Sequence, residues 1–391
     1  MRPASPRPIS RREAARPDRQ PAHLQNHSRR TSPPQTSEPH IAKPTSSGRR
    51  PQKIDLALQG GGSHGAFTWG ALDRLLEDET LAFAGISGTS AGALNAAVMA
   101  SGFAHGGQAG ARAALTAFWH DVSRASSPFC PADAAAATGT FGLDRLPGYQ
   151  WLRSYWRSFS PYEFNPLNLS PLRELLVRHV DVPAVQQGAM RLFIAATSVH
   201  TGQARVFSGN EIGIDALLAS ACLPNLFQAV QIDGEPYWDG GYTGNPALFP
   251  LIYDTEALDL LLIKINPLVR LGTPKRNDDI IDRLSEITFN ASLIGEMRAI
   301  AFVGRLVREG RLDAGRYKAL RLHMVADDAG LAPFGAASKL NSDRAFLDKL
   351  FGLGRAAADR WLAAHRADVG VRGSLDIEAA FLTRPSPGRV R

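Results

Sequence analysis

The sequence predicts an α/β protein with a parallel sheet, and three observations carry that reading. From Lys53 onward, short apolar runs of strand length alternate with segments of helical periodicity. Glycine-rich turns stand at the strand-to-helix junctions. The composition is that of an ordinary globular chain: 391 residues, 44% hydrophobic and 21% charged. Those figures exclude a collagen, a coiled coil or a wholly disordered chain. Strand, glycine loop, helix, strand, tight turn, helix is the order that right-handed crossovers impose on parallel strands.

The first fifty residues stand apart. They hold eleven Arg or Lys against three Asp or Glu, nine prolines, and only isolated apolar residues such as Ile9, Leu24 and Ile41. Such a segment cannot bury enough surface to offset its chain entropy, so residues 1–52 are expected to be a disordered Pro/Arg/Ser-rich tail. It contains no continuous apolar core of a secretory signal. The other 341 residues hold 33 basic and 34 acidic side chains, so the net charge of +7 belongs to the tail and the body is neutral. Nucleic acid is therefore not an expected partner. Peripheral contact between the tail and anionic lipid is one reading, at roughly 1 kcal/mol per basic residue near a membrane surface; a solvated tail without a partner is the other.

No apolar run reaches the ~18–20 residues of a membrane span, and the densest stretch, 258–265, contains Asp259 and Lys264. Cys130 and Cys222 make neither a disulfide framework nor a four-ligand zinc site. The expectation is a reducing, cytoplasmic setting, at most peripheral to a membrane. No HExxH pattern occurs, so no metal and no cofactor is expected.

In chain order, Ile54, Asp55, Leu56, Ala57 and Leu58 form a β-type run that stops at Gln59. Phe67, Trp69, Ala71, Leu72, Leu75 and Leu76 then make the apolar face of a helix. Residues 81–86 read as a second strand, and the Ala-rich stretch 91–100 as a helix ending near Ser101 and Gly102. Further strands are expected at 192–197, at 204–207, into Tyr237 and Trp238, and at 258–265, the last buried on both faces. Helices are expected at 214–221, at 280–307 as a core-facing stripe, and as a pair between 343 and 365. Aromatic residues crowd the stretch 128–164, with Arg153 and Arg157 interleaved. The neutral body argues against a nucleic-acid stacking surface there, which leaves a packed insertion or a lid. Residues 383–391 are expected to fray.

Three motifs bear chemistry. Gly88-Thr89-Ser90-Ala91-Gly92 fits GxSxG between a strand and a helix, where a sharp turn pushes the serine out of the backbone surface. The helix N-terminus beside it favours developing negative charge. Gly60-Gly61-Gly62-Ser63-His64-Gly65 fits GxGxxG, also between a strand and a helix. A dinucleotide site needs an acid at the end of the second strand, but that strand runs into Ile86-Ser87-Gly88. In an acyl-transfer enzyme the same loop supplies backbone N–H groups to an oxyanion. Asp239-Gly240-Gly241 ends a strand with a carboxylate at a sharp turn. A parallel sheet gathers the C-terminal ends of its strands along one crevice, so Asp239 is expected on the same edge as Ser90.

These motifs, in this order, resemble the patatin-like phospholipase family over roughly residues 54–252. The resemblance implies a three-layer α/β/α fold with a mostly parallel central sheet, and a Ser–Asp dyad without histidine. It makes Ser90 the nucleophile, Asp239 the general base, and Gly60, Gly61, Gly62, Ser63, His64 and Gly65 the oxyanion loop. Residues 53–267 become the catalytic domain and 268–382 a helical C-terminal extension packed on it. The implied activity is hydrolysis of lipid carboxylic esters, as a phospholipase A or lysophospholipase. Two positions depart from the family pattern: Gln59 stands where plant-type members have Asp, and His64 where many have Arg or Lys. The alternatives are a Ser–His–Asp esterase of another family, with His323, His365 or His64 as base, and a non-catalytic membrane-associated scaffold that keeps the fold.

Overall fold

A computed structural model of the chain describes residues 51–126, 159–270 and 272–383. The expectations for the basic tail up to residue 50, for the aromatic stretch as far as residue 158, and for the terminus from 384 lie outside the described residues.

Eight strands form one sheet among the described residues: β1 (Gln52–Leu58), β2 (Leu81–Thr89), β3 (Arg191–Ser198), β4 (Ala204–Ser208), β5 (Val230–Ile232), β6 (Glu235–Asp239), β7 (Asp259–Ile263) and β8 (Arg321–Val325). The order is β5-β6-β3-β2-β1-β7-β8, with β4 paired to β3 off this path. β3, β2, β1, β7 and β8 are mutually parallel, whereas β4 and β6 run antiparallel to β3. The main helices are α1 (Gly65–Leu75), α2 (Ala91–Ser126), α3 (Pro171–His179), α4 (Ile214–Ser220), α5 (Asn277–Arg308) and α6 (Arg344–His365).

The pleat sorts side chains into two cores. Ile54, Leu56, Leu58, Leu261 and Ile263 join the buried residues of α1, α2, α4 and α6 on one face. Ala57, Phe193, Leu260 and Leu262 meet Leu293, Met297 and Ile300 of α5 on the other. Helices thus cover both faces of a mostly parallel sheet, the three-layer α/β/α arrangement. β7 is buried at every position: Leu260 to Ile263 form the apolar run that a strand covered on both faces requires, and Asp259 is paired with Arg321 and His323.

Four elements differ from the sequence reading. α2 is two helical stretches: the first runs a few residues past Ser101 to a break at Gly106 and Gly107, which leave the helical conformation, and a second, which the sequence reading did not include, continues to Ser126. Gly102 and Gly110 approach so closely that a Cβ on either would meet the other's carbonyl oxygen, so the chain folds back on itself there. α5 is core-facing only in its later turns: Leu293 and Met297 are buried, but Ile280, Ile281, Leu284 and Ile287 are 40–58% exposed. Helical spacing specifies a face, not what covers it. The stretch read as a helical pair is the single helix α6. Finally, β8 adds a strand to a region read as helical. Its sequence, RLHMV, hides the strand because Arg321 and His323 are polar, and both bond Asp259 on the neighbouring β7.

α6 belongs to the core rather than decorating it. It buries Phe346, Leu347, Leu350, Trp361 and Leu362, at about 1.5–3 kcal/mol for each large side chain removed from water. Its partly exposed ion pairs, such as Arg74 with Asp359, contribute about 0–1 kcal/mol each. Burial decides the docking. Glycines set how close α6 comes to α1: a Cβ on Gly354 would lie 1.9 Å from the Phe67 carbonyl oxygen, and one on Gly70 would lie 2.0 Å from that of Phe351. Backbone cannot yield as a flexible side chain does. Gly354→Ala is therefore expected to lower stability by at least about 1–3 kcal/mol in urea unfolding. Gly352→Ala, with nothing within 4 Å, is expected to be neutral or to gain up to about 1 kcal/mol. Equal midpoints for the two variants would contradict this packing.

Candidate active site

Ser90 sits at the tip of the turn from β2 into α2 with φ 53°, a left-handed conformation that is rare for a residue with a side chain. Such strain costs on the order of 1–3 kcal/mol and persists only where the surroundings over-determine it. Here they do. Ser90 N–H donates to Ser220 Oγ (2.9 Å), which donates to Ala195 O (2.6 Å), and Thr89 Oγ1 donates to Gly244 O (2.6 Å). A Cβ on Gly92 would lie 2.2 Å from the Leu58 carbonyl oxygen, so the turn is pressed against the end of β1. The Ser90 side of the turn faces the N-terminus of α2, where unpaired N–H groups favour negative charge.

Asp239 reaches this point by a route that differs from the expected one. β6 is antiparallel, not parallel. β4 occupies one edge of β3 at residues 193–197; β2 and β6 therefore share the other, β2 pairing up to Ala195 and β6 from Ala196. The two strands meet end to end, with Ser90 just beyond the last residue of β2 and Asp239 the last residue of β6. Asp239 is fully buried and Ser90 is 7% exposed. Gly241 N–H donates to Asp239 Oδ1 (2.7 Å), while Oδ2 makes no well-formed hydrogen bond within the described residues. Burial pushes the Asp239 carboxyl up to about 6, against the N–H of Gly241, the Ser90 hydroxyl and the charge of Lys339, which all lower it. The hydroxyl is thus close enough to be felt at Asp239 without sitting in an ideally aligned bond.

The glycine loop runs past Ser90: a Cβ on Gly60 would lie 2.8 Å from Ser90 Cβ. Not every amide of this loop is available. Gly60 N–H donates to Asn245 Oδ1 (2.6 Å), His64 N–H to Gly61 O (3.2 Å), and Gly65 N–H to Gly62 O and Ser63 O. No acceptor among the described residues takes the N–H of Gly61 or Gly62.

A set of buried amides that the motifs did not reveal holds this loop. Gln59 Oε1 accepts from Ile265 N–H and Asn266 N–H (both 2.9 Å), and its Nε2 donates to Asn290 Oδ1 (3.0 Å). Asn266 Nδ2 donates to Gly60 O (2.7 Å). Asn245 and Asn266 each precede a proline, and that is the signal that could have found them. A following proline restricts the backbone of the residue before it, though Asn165 shares the pattern and bonds Leu169 instead.

The histidines are engaged elsewhere. Ser338 Oγ donates to Gly335 O (2.6 Å), so its 2.7 Å contact with His64 must come from the imidazole Nε2–H. Burial, then the charges of Lys339 and Arg270, lower His64 to about 3, leaving it neutral. His323 lies level with Ile86, three strands from β2, and bonds Asp259 (3.0 Å) and Ser374 (2.9 Å). His365 bonds Asp368. Cys222, whose carbonyl accepts from Asp239 N–H, has its thiol pushed up to about 12 by burial and is inert. Among the described residues no group of His, Cys, Asp and Glu is placed to hold a metal, and no helix is long and apolar enough to cross a membrane.

Asp239 costs stability when ionised. Its folded pKa lies above the unfolded value of 3.8, so unfolding releases a proton between about pH 4 and pH 6 and the stability linked to it falls over that window. Asn keeps the shape without the charge. Asp239→Asn is expected to be more stable than the wild type at pH 8, by about 3 kcal/mol at most, with the gain vanishing below pH 4. Thermal melts at the two pH values check this; a less stable variant at pH 8 would refute the burial cost.

The family described as patatin-like phospholipase matches residues 56–252, about half of the chain. Among solved structures, VipD from Legionella pneumophila aligns with 81% of this chain and 72% of its own at 14% identity, with a TM-score of 0.30. No curated protein matches the sequence. The matched segment takes in the turn at Ser90 and the Asp239-Gly240-Gly241 stretch, and it stops short of Asn266, Asn290 and Ser338. With that match, the chain belongs to the patatin-like phospholipase family, whose members are lipid acyl hydrolases.

Proposed function

We propose that the chain hydrolyses carboxylic esters of lipids through a Ser90–Asp239 dyad. The observation that carries the reading is the end-to-end meeting of β2 and β6, which brings a strained serine to a buried carboxylate with one oxygen unengaged. Ser90 Oγ attacks the ester carbonyl carbon as its proton passes to Asp239, and the carbonyl oxygen becomes an oxyanion. The N–H groups of Gly61 and Gly62, aided by the N-terminus of α2, receive that charge. Collapse expels the alcohol, which takes the proton from Asp239 and leaves an acyl-Ser90 ester. Water then attacks the acyl carbon, Asp239 accepts its proton, and the second collapse frees the fatty acid and restores Ser90. No metal or cofactor enters these steps. A carboxylate raised to about 6 suits the base, being nearer the operating pH than an ordinary aspartate.

Hydrolysis of a nitrophenyl acyl ester tests the dyad. Ser90→Ala and Asp239→Asn are each expected to lose activity by at least ~10³-fold with folding intact, because a serine hydroxyl without its base is a weak nucleophile. The wild-type kcat/KM should rise with pH through about 6 and then level off, as Asp239 ionises. An Asp239→Asn enzyme with near-wild-type turnover refutes the dyad. If the wild type neither hydrolyses ester nor takes a fluorophosphonate label at Ser90, the scaffold reading replaces it. The tail is proposed to hold the enzyme against anionic lipid: full-length protein should co-float with vesicles containing phosphatidylserine at low salt and be released at high salt.

A further inference from the structure

Lys339 is a cation in an unusual place. It lies in the 3₁₀ turn Ala336–Leu340, far along the chain from the motifs and beyond the family match. Its own backbone is packed on the glycine loop, for a Cβ on Gly62 would lie 2.3 Å from the Lys339 carbonyl oxygen. Its side chain is half-buried, with Nζ over the Phe289 ring at 5.7 Å and 2.7 Å from Asn266 Oδ1. Of the carboxylates around it, Glu286 takes Arg270 and Arg283, and Oδ1 of Asp239 accepts from Gly241 N–H. A lysine that stabilised the fold by charge pairing would sit on one of those carboxylates. This one bonds a neutral amide.

That amide leads to the site. Lys339 Nζ–H donates to Asn266 Oδ1, and Asn266 Nδ2–H donates to Gly60 O (2.7 Å). Gly60 C=O and Gly61 N–H are the two ends of one peptide group. A donor on its oxygen draws electron density from the amide nitrogen and makes the N–H a stronger donor, and chains of such bonds reinforce one another. The polarity runs the same way at each link, from the Lys339 cation to the Gly61 N–H. We propose that Lys339 is a positioning residue of the acyl-transfer site, acting through Asn266 to orient and polarise the Gly60–Gly61 peptide toward the oxyanion.

The inference rests on the reading of the glycine loop as the oxyanion donor. It also gives the C-terminal region a part in the chemistry. The groups that act on Lys339 besides the relay are Glu286, Asp282 and Asp239, which favour its charge, and Arg270, which opposes it; burial, the largest influence, lowers its pKa. Nζ donates to Asn266 in either protonation state, and the charge adds to the polarisation when present.

Lys339→Met keeps the length and the apolar stem while removing donor and charge. With 4-nitrophenyl butyrate, and with kcat expressed per site titrated by a fluorophosphonate, kcat is expected to fall about tenfold with KM within about twofold. That is less than the ~10²–10³ lost when an oxyanion donor itself is removed. Lys339→Arg should recover part of the loss. In the double variant Lys339→Met/Asn266→Ala, kcat should equal that of Asn266→Ala alone, because the lysine acts only through the asparagine. A merely structural lysine would change the titratable fraction and the melting point but not kcat per site. Should Lys339→Met fail to fold, Asn266→Asp reads the same link by replacing the donor to Gly60 with an acceptor, and the expected result is a loss of at least tenfold. Wild-type kcat per site in folded Lys339→Met or Asn266→Asp, or additive losses in the double variant, overturns the relay while the dyad stands. A wild type without Ser90-dependent hydrolysis instead removes the reading on which the relay rests.

Discussion

Both polar ends of Gly60 are tied by side-chain amides, and the rest of the site depends on that clamp. Its N–H goes to Asn245 and its C=O to Asn266. A loop that presents backbone donors to a reaction must leave some of its N–H groups unpaired, yet an unsatisfied buried amide costs about 1–3 kcal/mol. A free glycine-rich chain would relieve that cost by turning its amides toward water or its own carbonyls. The clamp prevents this by fixing the peptide that carries the Gly61 N–H and the peptide before it, and Gln59, held by Asn290 and by two amides of the β7 exit, fixes the residue that leads into them. Preorganisation of this kind is what makes a hydrogen-bonding pocket more effective than water, because nothing has to reorient as charge develops.

The serine and the aspartate carry related costs. Ser90 holds a left-handed backbone, and Asp239 sits where burial raises its carboxyl to about 6. Both arise from one topological choice, the use of a single edge of β3 by two strands running in opposite directions. A continuous β2 would occupy the full edge and leave no gap for a side chain to face another. Ending β2 at the turn and feeding β6 in from the far side opens that gap, and Ser220 closes it by holding the Ser90 amide to the Ala195 carbonyl. Backbone strain and a buried charge thus coincide at the place where an unengaged carboxylate oxygen has a use.

The sequence made the strands β1 and β2, both glycine motifs and the Asp239 turn legible, because each is local: a strand and a small-residue turn within a short stretch of chain. It could not show the direction of β6, since the alternation of a short strand reads the same both ways and its partner is set by contacts 40 residues distant. β8 was hidden because Arg321 and His323 are polar for a reason outside the strand. Burial alone would raise Asp259, but His323, Arg321 and Gly370 N–H hold it down at about 2. The exposed turns of α5 kept a helical period without a covering partner. Gln59, noticed only as a departure from a pattern, is an anchor whose bonds are all to residues more than 200 positions away.

That distance bears on where the functional unit ends. The family match stops at residue 252, yet Ile265, Asn266, Asn290, Ser338 and Lys339 all contact residues 59–64 or each other's supports. Four buried hydrogen bonds made by side chains join Gln59 and Gly60 to residues beyond the match. At about 1–3 kcal/mol for each buried partner left unsatisfied, their loss is a large share of the ~5–15 kcal/mol that keeps a protein folded. β7 and β8 would also be lost from the sheet, leaving the edge of β1 from Ile54 to Leu58 unpaired. The chain after residue 252 is thus a structural part of the glycine loop. The motifs name the reacting groups, but the loop's geometry is set by amides and a lysine that only the folded chain brings to it.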